Sequence, residues 1–167
     1  TPMEDGVHFD AASARELGSR YANALAGLEG GGVSLDEKIG QMLMLGFRGL
    51  TAGNEHEIVA DIRERHIGGV VLFDYDVPTK SSVRNIQSPA QVKRLISSLQ
   101  KYADIPLIVA VDQEGGRIRR LKEKSGFPAT KSHQATGGSE STAQTARNAA
   151  VIAHTLAGAG FTLNFAP

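Results

Sequence analysis

Residues 106–121 read PLIVAVDQEGGRIRRL, and this stretch decides the fold because an unbroken apolar run passes into a charged cluster through two glycines. Residues 107–111 are apolar and mostly β-branched, the pattern of a strand covered on both faces, as in parallel sheets flanked by helices. Asp112 and Glu114 arrive where the apolar run stops, and Gly115-Gly116 lets the backbone bend without a Cβ penalty. Arg117, Arg119 and Arg120 follow. Carboxylates at a strand's C-terminal end, facing guanidinium groups past a glycine turn, are equipped to hold a polyhydroxylated ligand through charge-assisted hydrogen bonds. A structural ion pair closing the strand end accounts for the same residues. Spacing alone leaves both readings open.

Working outward, Ser34 and Glu37 have capping-box spacing for a short helix, and the apolar run 42–45 is expected to be a first strand. Ile58, Val59 and Ile62 mark an amphipathic helix that returns the chain to Gly68-Gly69 and a second strand at residues 70–73. That strand ends in Asp74 and Asp76, a second carboxylate pair that is expected to open a solvated loop, with sugar or metal binding as the alternative. The long polar loop that continues to Gln87 is expected to form the rim of a binding site. Ser88, Pro89 and Gln91 combine an N-cap, a first-turn proline and a capping box ahead of Val92, Leu95, Ile96 and Leu99 at helical spacing. The polar stretch after Leu121 reads as an irregular loop, and His133 within it as an ordinary loop residue. Ser141 and Gln144 predict a third capping box before an alanine-rich helix, and residues 161–165 a fourth strand that carries Asn164 to its end. Strand and helix thus alternate four times after Leu35, which predicts an α/β fold with a parallel sheet, of the (β/α)8 TIM-barrel type, containing roughly the first four βα units. The first and fourth strands of such a half-barrel have unpaired edges, which invites the missing C-terminal part of the barrel or a second chain. Residues 9–28 carry Leu17, Tyr21, Leu25 and Leu28 on one helical face, so residues 1–33 read as a helical extension before a domain at 34–167.

Composition narrows the function classes. The 167 residues are 41% hydrophobic with a formal net charge of zero, so the chain lacks the positive field that a nucleic-acid backbone demands. No stretch is apolar and long enough to span a bilayer. With no cysteines, disulfides and thiolate chemistry are excluded. His56-Glu57 lacks the second histidine of a metal-protease helix, since position 60 is Ala60, and Gly137-Gly138-Ser139 lacks the closing glycine of a nucleophile elbow. No Walker lysine or dinucleotide fingerprint occurs. The histidines stand singly, so no metal site is expected.

The stretch DQEGGRIRRL resembles the signature of the N-terminal barrel domain of glycoside hydrolase family 3, in the β-N-acetylglucosaminidase (β-hexosaminidase) branch. LDEKIGQMLMLGF at 35–47, HIGGVVLF at 66–73 and NFAP at 164–167 extend the likeness in the same order. The resemblance implies a glycoside hydrolase, in particular a retaining β-N-acetylhexosaminidase acting on peptidoglycan or chitin-like fragments, with no metal or organic cofactor. The alternatives are a β-glucosidase or β-xylosidase of the same family, or a non-catalytic sugar-binding half-barrel. It implies that Asp112 and Arg120 contact the sugar at the non-reducing end; Glu114 and Arg117 we assign to structure, expecting them to pair beneath the site and hold the loop. No catalytic residue carries over, because the family's Lys-His loop and late aspartate have no counterpart before Pro167, so this segment alone is expected to be inactive. The extension before Leu35 leads us to expect an exported protein, periplasmic or secreted, with its leader removed; a cytoplasmic location is the alternative.

Overall fold

The structure, a computed structural model, describes residues 32–139 and 141–166. The helix expected over residues 9–28 lies outside them. Four parallel strands form one sheet in the order β1 (Met44–Gly46), β2 (Gly69–Val71), β3 (Ile108–Val111) and β6 (Leu163–Asn164). Helices α1 (Leu35–Gln41), α2 (Glu57–Glu64), α3 (Pro89–Gln100) and α5 (Thr142–Ala159) alternate with these strands. A two-stranded antiparallel hairpin, β4 (Gln113–Gly115) with β5 (Ile118–Arg119), and the five-residue helix α4 (His133–Gly137) are inserted between β3 and α5. The expected α/β architecture is present, and among the described residues the sheet is open, with β1 and β6 at its edges.

The core follows the periodicities. Val70, Val109 and Val111 from the sheet, with Leu72 just after β2, pack with Ile58, Val59 and Ile62 of α2 and with Val92, Leu95, Ile96 and Leu99 of α3. These side chains are almost completely buried, and removing that much apolar surface from water is the main force holding the layers together.

The first strand differs from expectation by two residues. Met42 is the C-cap of α1, with its N–H on the Gly40 and Ile39 carbonyls, and is 85% exposed. The reason is a close approach between the end of α1 and the turn before β2. The Gly68 N–H donates to the Gly40 and Leu43 carbonyls at 2.9 and 3.0 Å. A Cβ at Gly40 would lie 1.9 Å from the Arg65 carbonyl oxygen, and one at Gly68 2.1 Å from that of Gln41. Strand geometry begins only beyond this junction, at Met44.

Helix starts are only partly as expected. Ser34 and Glu37 form the full reciprocal box. At α3 the Ser88 hydroxyl accepts from the Gln91 N–H, but the Gln91 side chain accepts from Gln87 and donates to the Leu50 and Asn85 carbonyls. Its amide is thus spent on holding two loops. At α5 the Ser141 hydroxyl accepts from the Gln144 N–H. The stretch after Leu121, expected to be irregular, contains a 3-10 turn at Glu123–Ser125 and α4, which Ser132 caps by accepting from the Ala135 N–H.

Candidate functional site

The C-terminal ends of β2, β3 and β6 converge on one side of the sheet, and the charged residues collect there. Asn164 extends the β3–β6 pairing with its side chain: its Oδ1 accepts from the Gln113 N–H at 2.9 Å and its Nδ2 donates to the Gln113 carbonyl at 3.1 Å. Asp112 is thereby fixed at the end of β3. The chain turns at Gly115 and Gly116, both at positive φ (85° and 58°), where glycine alone among common residues incurs no steric penalty. The β4–β5 hairpin then carries Arg120 back over Asp112, and Arg120 Nη2 donates to Asp112 Oδ2 at 2.8 Å. The two side chains are 28% and 29% exposed, so the pair faces solvent with donor and acceptor capacity to spare.

The backbone of Arg120 is held by a residue whose role the sequence does not announce. Gln113 is buried, and its Oε1 accepts from both the Arg120 and the Leu121 N–H at 3.0 Å. The glutamine of the DQEGGR motif is thus an internal staple across the hairpin. The glycines of that motif also permit close contact. The Gly116 N–H donates to the Thr130 carbonyl, and Asn148 of α5 makes two hydrogen bonds to the backbone of Lys131. Segment 130–132 therefore lies directly on the turn.

Asp74 and Asp76, expected to open a solvated loop, are both buried. Desolvated carboxylates need counter-charges, and each has them. Asp74 Oδ2 is 2.5 Å from Lys122 Nζ, and its Oδ1 is 3.8 Å from Arg120 Nη1. Asp76 accepts from Arg48 Nε at 2.9 Å and from the Thr79 hydroxyl at 2.5 Å, with Arg84 Nη1 at 3.6 Å. Asn85 completes the clamp. It is fully buried, exchanges hydrogen bonds with the Phe73 backbone, and donates to the Phe47 and Gly49 carbonyls. The polar loop after β2 is polar because it is fastened from within, and only Tyr75, Val77 and Val83 among its large apolar side chains are exposed.

The hydrogen bond from Arg48, aided by that from Thr79, holds the Asp76 carboxyl below the usual aspartate range. A folded-state pKa below the unfolded one contributes stability that is complete above the unfolded value, near 4, and is lost as pH falls through the folded value. Acid titration of folding is therefore expected to show a steeper loss below about pH 4 in the natural protein than in Asp76→Asn. Identical acid limbs in circular-dichroism melts would remove this role from Asp76.

Glu114 and Arg117 form no ion pair with each other; Arg117 is exposed, and the neighbouring Arg119 pairs with Glu123 at 3.1 Å. Arg117 lies in the turn between β4 and β5, whose pairing places Gln113 opposite Arg119. His133 opens α4 and lines a cavity of about 160 Å³ together with Gln113, Thr136, Asn148, Phe161 and Asn164. Among the described residues, no group of three or more His, Cys, Asp or Glu side chains is arranged to hold a metal ion, and no helix is long and apolar enough to cross a membrane.

The fold is similar to those of solved proteins. A β-N-acetylglucosaminidase of glycoside hydrolase family 3 from Paenibacillus sp. superposes with a TM-score of 0.69 at 35% identity, over 81% of this chain and 24% of that one. NagZ from Neisseria gonorrhoeae, solved in complex with N-trifluoroacetyl-D-glucosamine, gives 0.58 at 29% identity over 75% and 35%. By sequence, the Beta-hexosaminidase of Methylobacillus flagellatus is 42% identical over 67 residues, covering 40% of this chain and 17% of the relative. Beta-hexosaminidase A of Pseudoalteromonas piscicida is 28% identical over 156 residues, covering 81% and 25%. The chain thus spans between about a sixth and a third of the length of these relatives. The model of the glycosyl hydrolase family 3 N terminal domain matches residues 34–167, the whole of the sheet, hairpin and helices described above, and the chain belongs to that family.

Proposed function

We propose that this chain supplies the sugar-recognition side of a retaining β-N-acetylhexosaminidase that acts on N-acetylglucosamine-terminated fragments of peptidoglycan or chitin-like oligosaccharides. Asp112 and Arg120 bind hydroxyls of the non-reducing-end sugar. The observation that carries this reading is the half-exposed Asp112–Arg120 pair at the C-terminal end of a parallel sheet, the end at which barrel enzymes build their sites. A carboxylate that accepts from hydroxyls beside a guanidinium that donates to them matches the alternating donor and acceptor character of a sugar edge. The names of the relatives, hexosaminidases and an N-acetylglucosaminidase, support an amino sugar over glucose.

Glycoside hydrolysis with retention needs a nucleophile and a proton donor flanking the scissile bond. At this face Asp112, Asp74 and Asp76 are each engaged by cations, so they serve binding and architecture, and we assign the two reacting groups to polypeptide beyond the described residues. The test compares cleavage of aryl N-acetylglucosaminide and aryl glucoside by the full natural polypeptide. Preference for the glucoside would replace the reading with a β-glucosidase, and sugar binding without turnover of either would replace it with a binding module. Asp112→Asn is expected to weaken binding by about 1.5–3 kcal/mol, the worth of a hydrogen bond to a charged group, read as a KM raised roughly ten- to a hundredfold. An unchanged KM would remove Asp112 from the sugar site.

A further inference from the structure

Two further charges, Asp74 and Lys122, stand behind the Asp112–Arg120 pair, and the distances among the four are unequal in an informative way. Arg120 donates at 2.8 Å to Asp112, which is 29% exposed, yet stands 3.8 Å from Asp74, whose side chain is only 8% exposed. Electrostatics favours the opposite choice. Attraction grows as the local dielectric falls, and a buried carboxylate needs a counter-charge more than a half-solvated one. Asp74 even keeps one buried oxygen, Oδ1, without a hydrogen-bond partner, as does Arg120 at Nε. Lys122 already supplies Asp74 with a counter-charge, its Nζ 2.5 Å from Oδ2.

We infer that Lys122 is a positioning residue for sugar recognition: by neutralising buried Asp74 it leaves the Arg120 guanidinium on Asp112, poised toward the ligand. The backbone favours this assignment. The Lys122 carbonyl accepts from the Ser125 and Phe127 N–H groups, so the residue is anchored in the 3-10 turn and its side chain has a fixed origin from which to reach Asp74. Arg120 also lies with its Cζ 5.8 Å from the centre of the Phe73 ring, a surface along which a planar guanidinium can slide. Closing the gap to Asp74 requires a shift of about 1 Å, from 3.8 Å to the 2.8 Å of an ordinary charged hydrogen bond. On this inference the same shift draws Nη2 off Asp112.

This inference deepens the reading of Arg120 as a sugar ligand and rests on that reading for its kinetic consequence, so its test includes a readout independent of activity. The experiment uses the full natural polypeptide as Lys122→Met, Lys122→Arg and the double variant Asp74→Asn/Lys122→Met. In the crystal structure of Lys122→Met, Arg120 is expected within hydrogen-bond distance of Asp74 and no longer on Asp112. Its KM for aryl N-acetylglucosaminide is expected to rise about tenfold, the effect of one charged hydrogen bond, with kcat changed less than about threefold. Lys122→Arg restores the charge and is expected to restore KM. The double variant removes the buried carboxylate charge along with the lysine and is expected to return KM to within about threefold of the natural value, a non-additive result that lost packing alone does not produce. Should Lys122→Met fail to fold with its uncompensated buried charge, the double variant decides: Arg120 on Asp112 with a near-natural KM supports the inference, and Arg120 displaced overturns it. Arg120 still bonded to Asp112 in Lys122→Met overturns it as well, as do additive losses in the double variant. If the natural protein cleaves no N-acetylhexosaminide, the proposed function falls while the Arg120 distances still decide the role of Lys122.

Discussion

Gly115→Ala is expected to destabilise the protein by about 2–5 kcal/mol, summing the cost of a left-handed backbone for an L-residue and of overpacking a tight contact. Gly115 has φ +85°, and a Cβ there would lie 2.1 Å from the Lys131 carbonyl oxygen. Neither strain has an easy exit. Asn148 holds the Lys131 backbone through two hydrogen bonds, and Gly116 is itself at φ +58° with Ser132 Cβ 2.5 Å from its own would-be Cβ. The whole hairpin would have to lift, and with it Arg120. Gly137→Ala is the control: nothing lies within 4 Å of its would-be Cβ, and at the last residue of α4 alanine carries no steric cost. Urea unfolding of both variants in the full natural polypeptide measures the contrast. A Gly115→Ala variant within 1 kcal/mol of the natural protein would show that segment 130–132 is not packed on the turn.

Gln113→Leu is expected to cost about 2–6 kcal/mol, for a different reason. Leucine fills a similar space but strands the Arg120 and Leu121 N–H groups, whose shared acceptor is Gln113 Oε1. Each buried donor left unpaired costs about 1–3 kcal/mol, and Leu121 and Gln113 are at most 1% exposed, so water cannot readily replace the lost acceptor. The effect should be local in origin. Amide hydrogen exchange at Arg120 and Leu121 is expected to accelerate well beyond that of the β2–β3 ladder, and sugar affinity to fall with it because Arg120 loses its fixed backbone. Uniform acceleration across the sheet would point to global loosening and away from a staple.

These two positions mark where sequence reading succeeded and stopped. The motif DQEGGR was legible as strand, turn and charge, and the Asp112–Arg120 pairing follows from a hairpin that returns the chain eight residues later. The reading of Gly115-Gly116 as a bend was incomplete, because the contact that requires glycine comes from Lys131 and Ser132. Gln113 gave no signal at all, since a glutamine between Asp112 and Glu114 looks like any polar residue until its partners at 120 and 121 fold over it. Ser132 was a missed signal of a simpler kind: a serine three residues before Ala135 is an N-cap candidate in any polar stretch. Glu114 and Arg117, expected to pair beneath the site, form no ion pair with each other, and Arg117 is exposed in the turn between β4 and β5.

Asp74, Asp76, Asn85 and Gln91 form the larger group that sequence could not place. A run of aspartate, threonine, lysine, serine, arginine and asparagine between residues 74 and 87 has the composition of a solvated loop. Interior hydrogen bonds from this run and from Gln91 reach Phe47, Arg48, Gly49 and Leu50, roughly thirty to forty positions earlier. Composition records which groups seek partners and says nothing of which partners arrive.

By itself the sequence determined the alternation of buried strands with amphipathic helices, and hence a parallel α/β sheet. Burial imposes a period on neighbouring residues, and a period is a local property of the chain. The tertiary structure alone decided where β1 begins, which glycines face a foreign backbone, and which cation each carboxylate receives. Those outcomes depend on distances of 2–4 Å between groups far apart in the chain, and only the closed packing of the layers sets such distances.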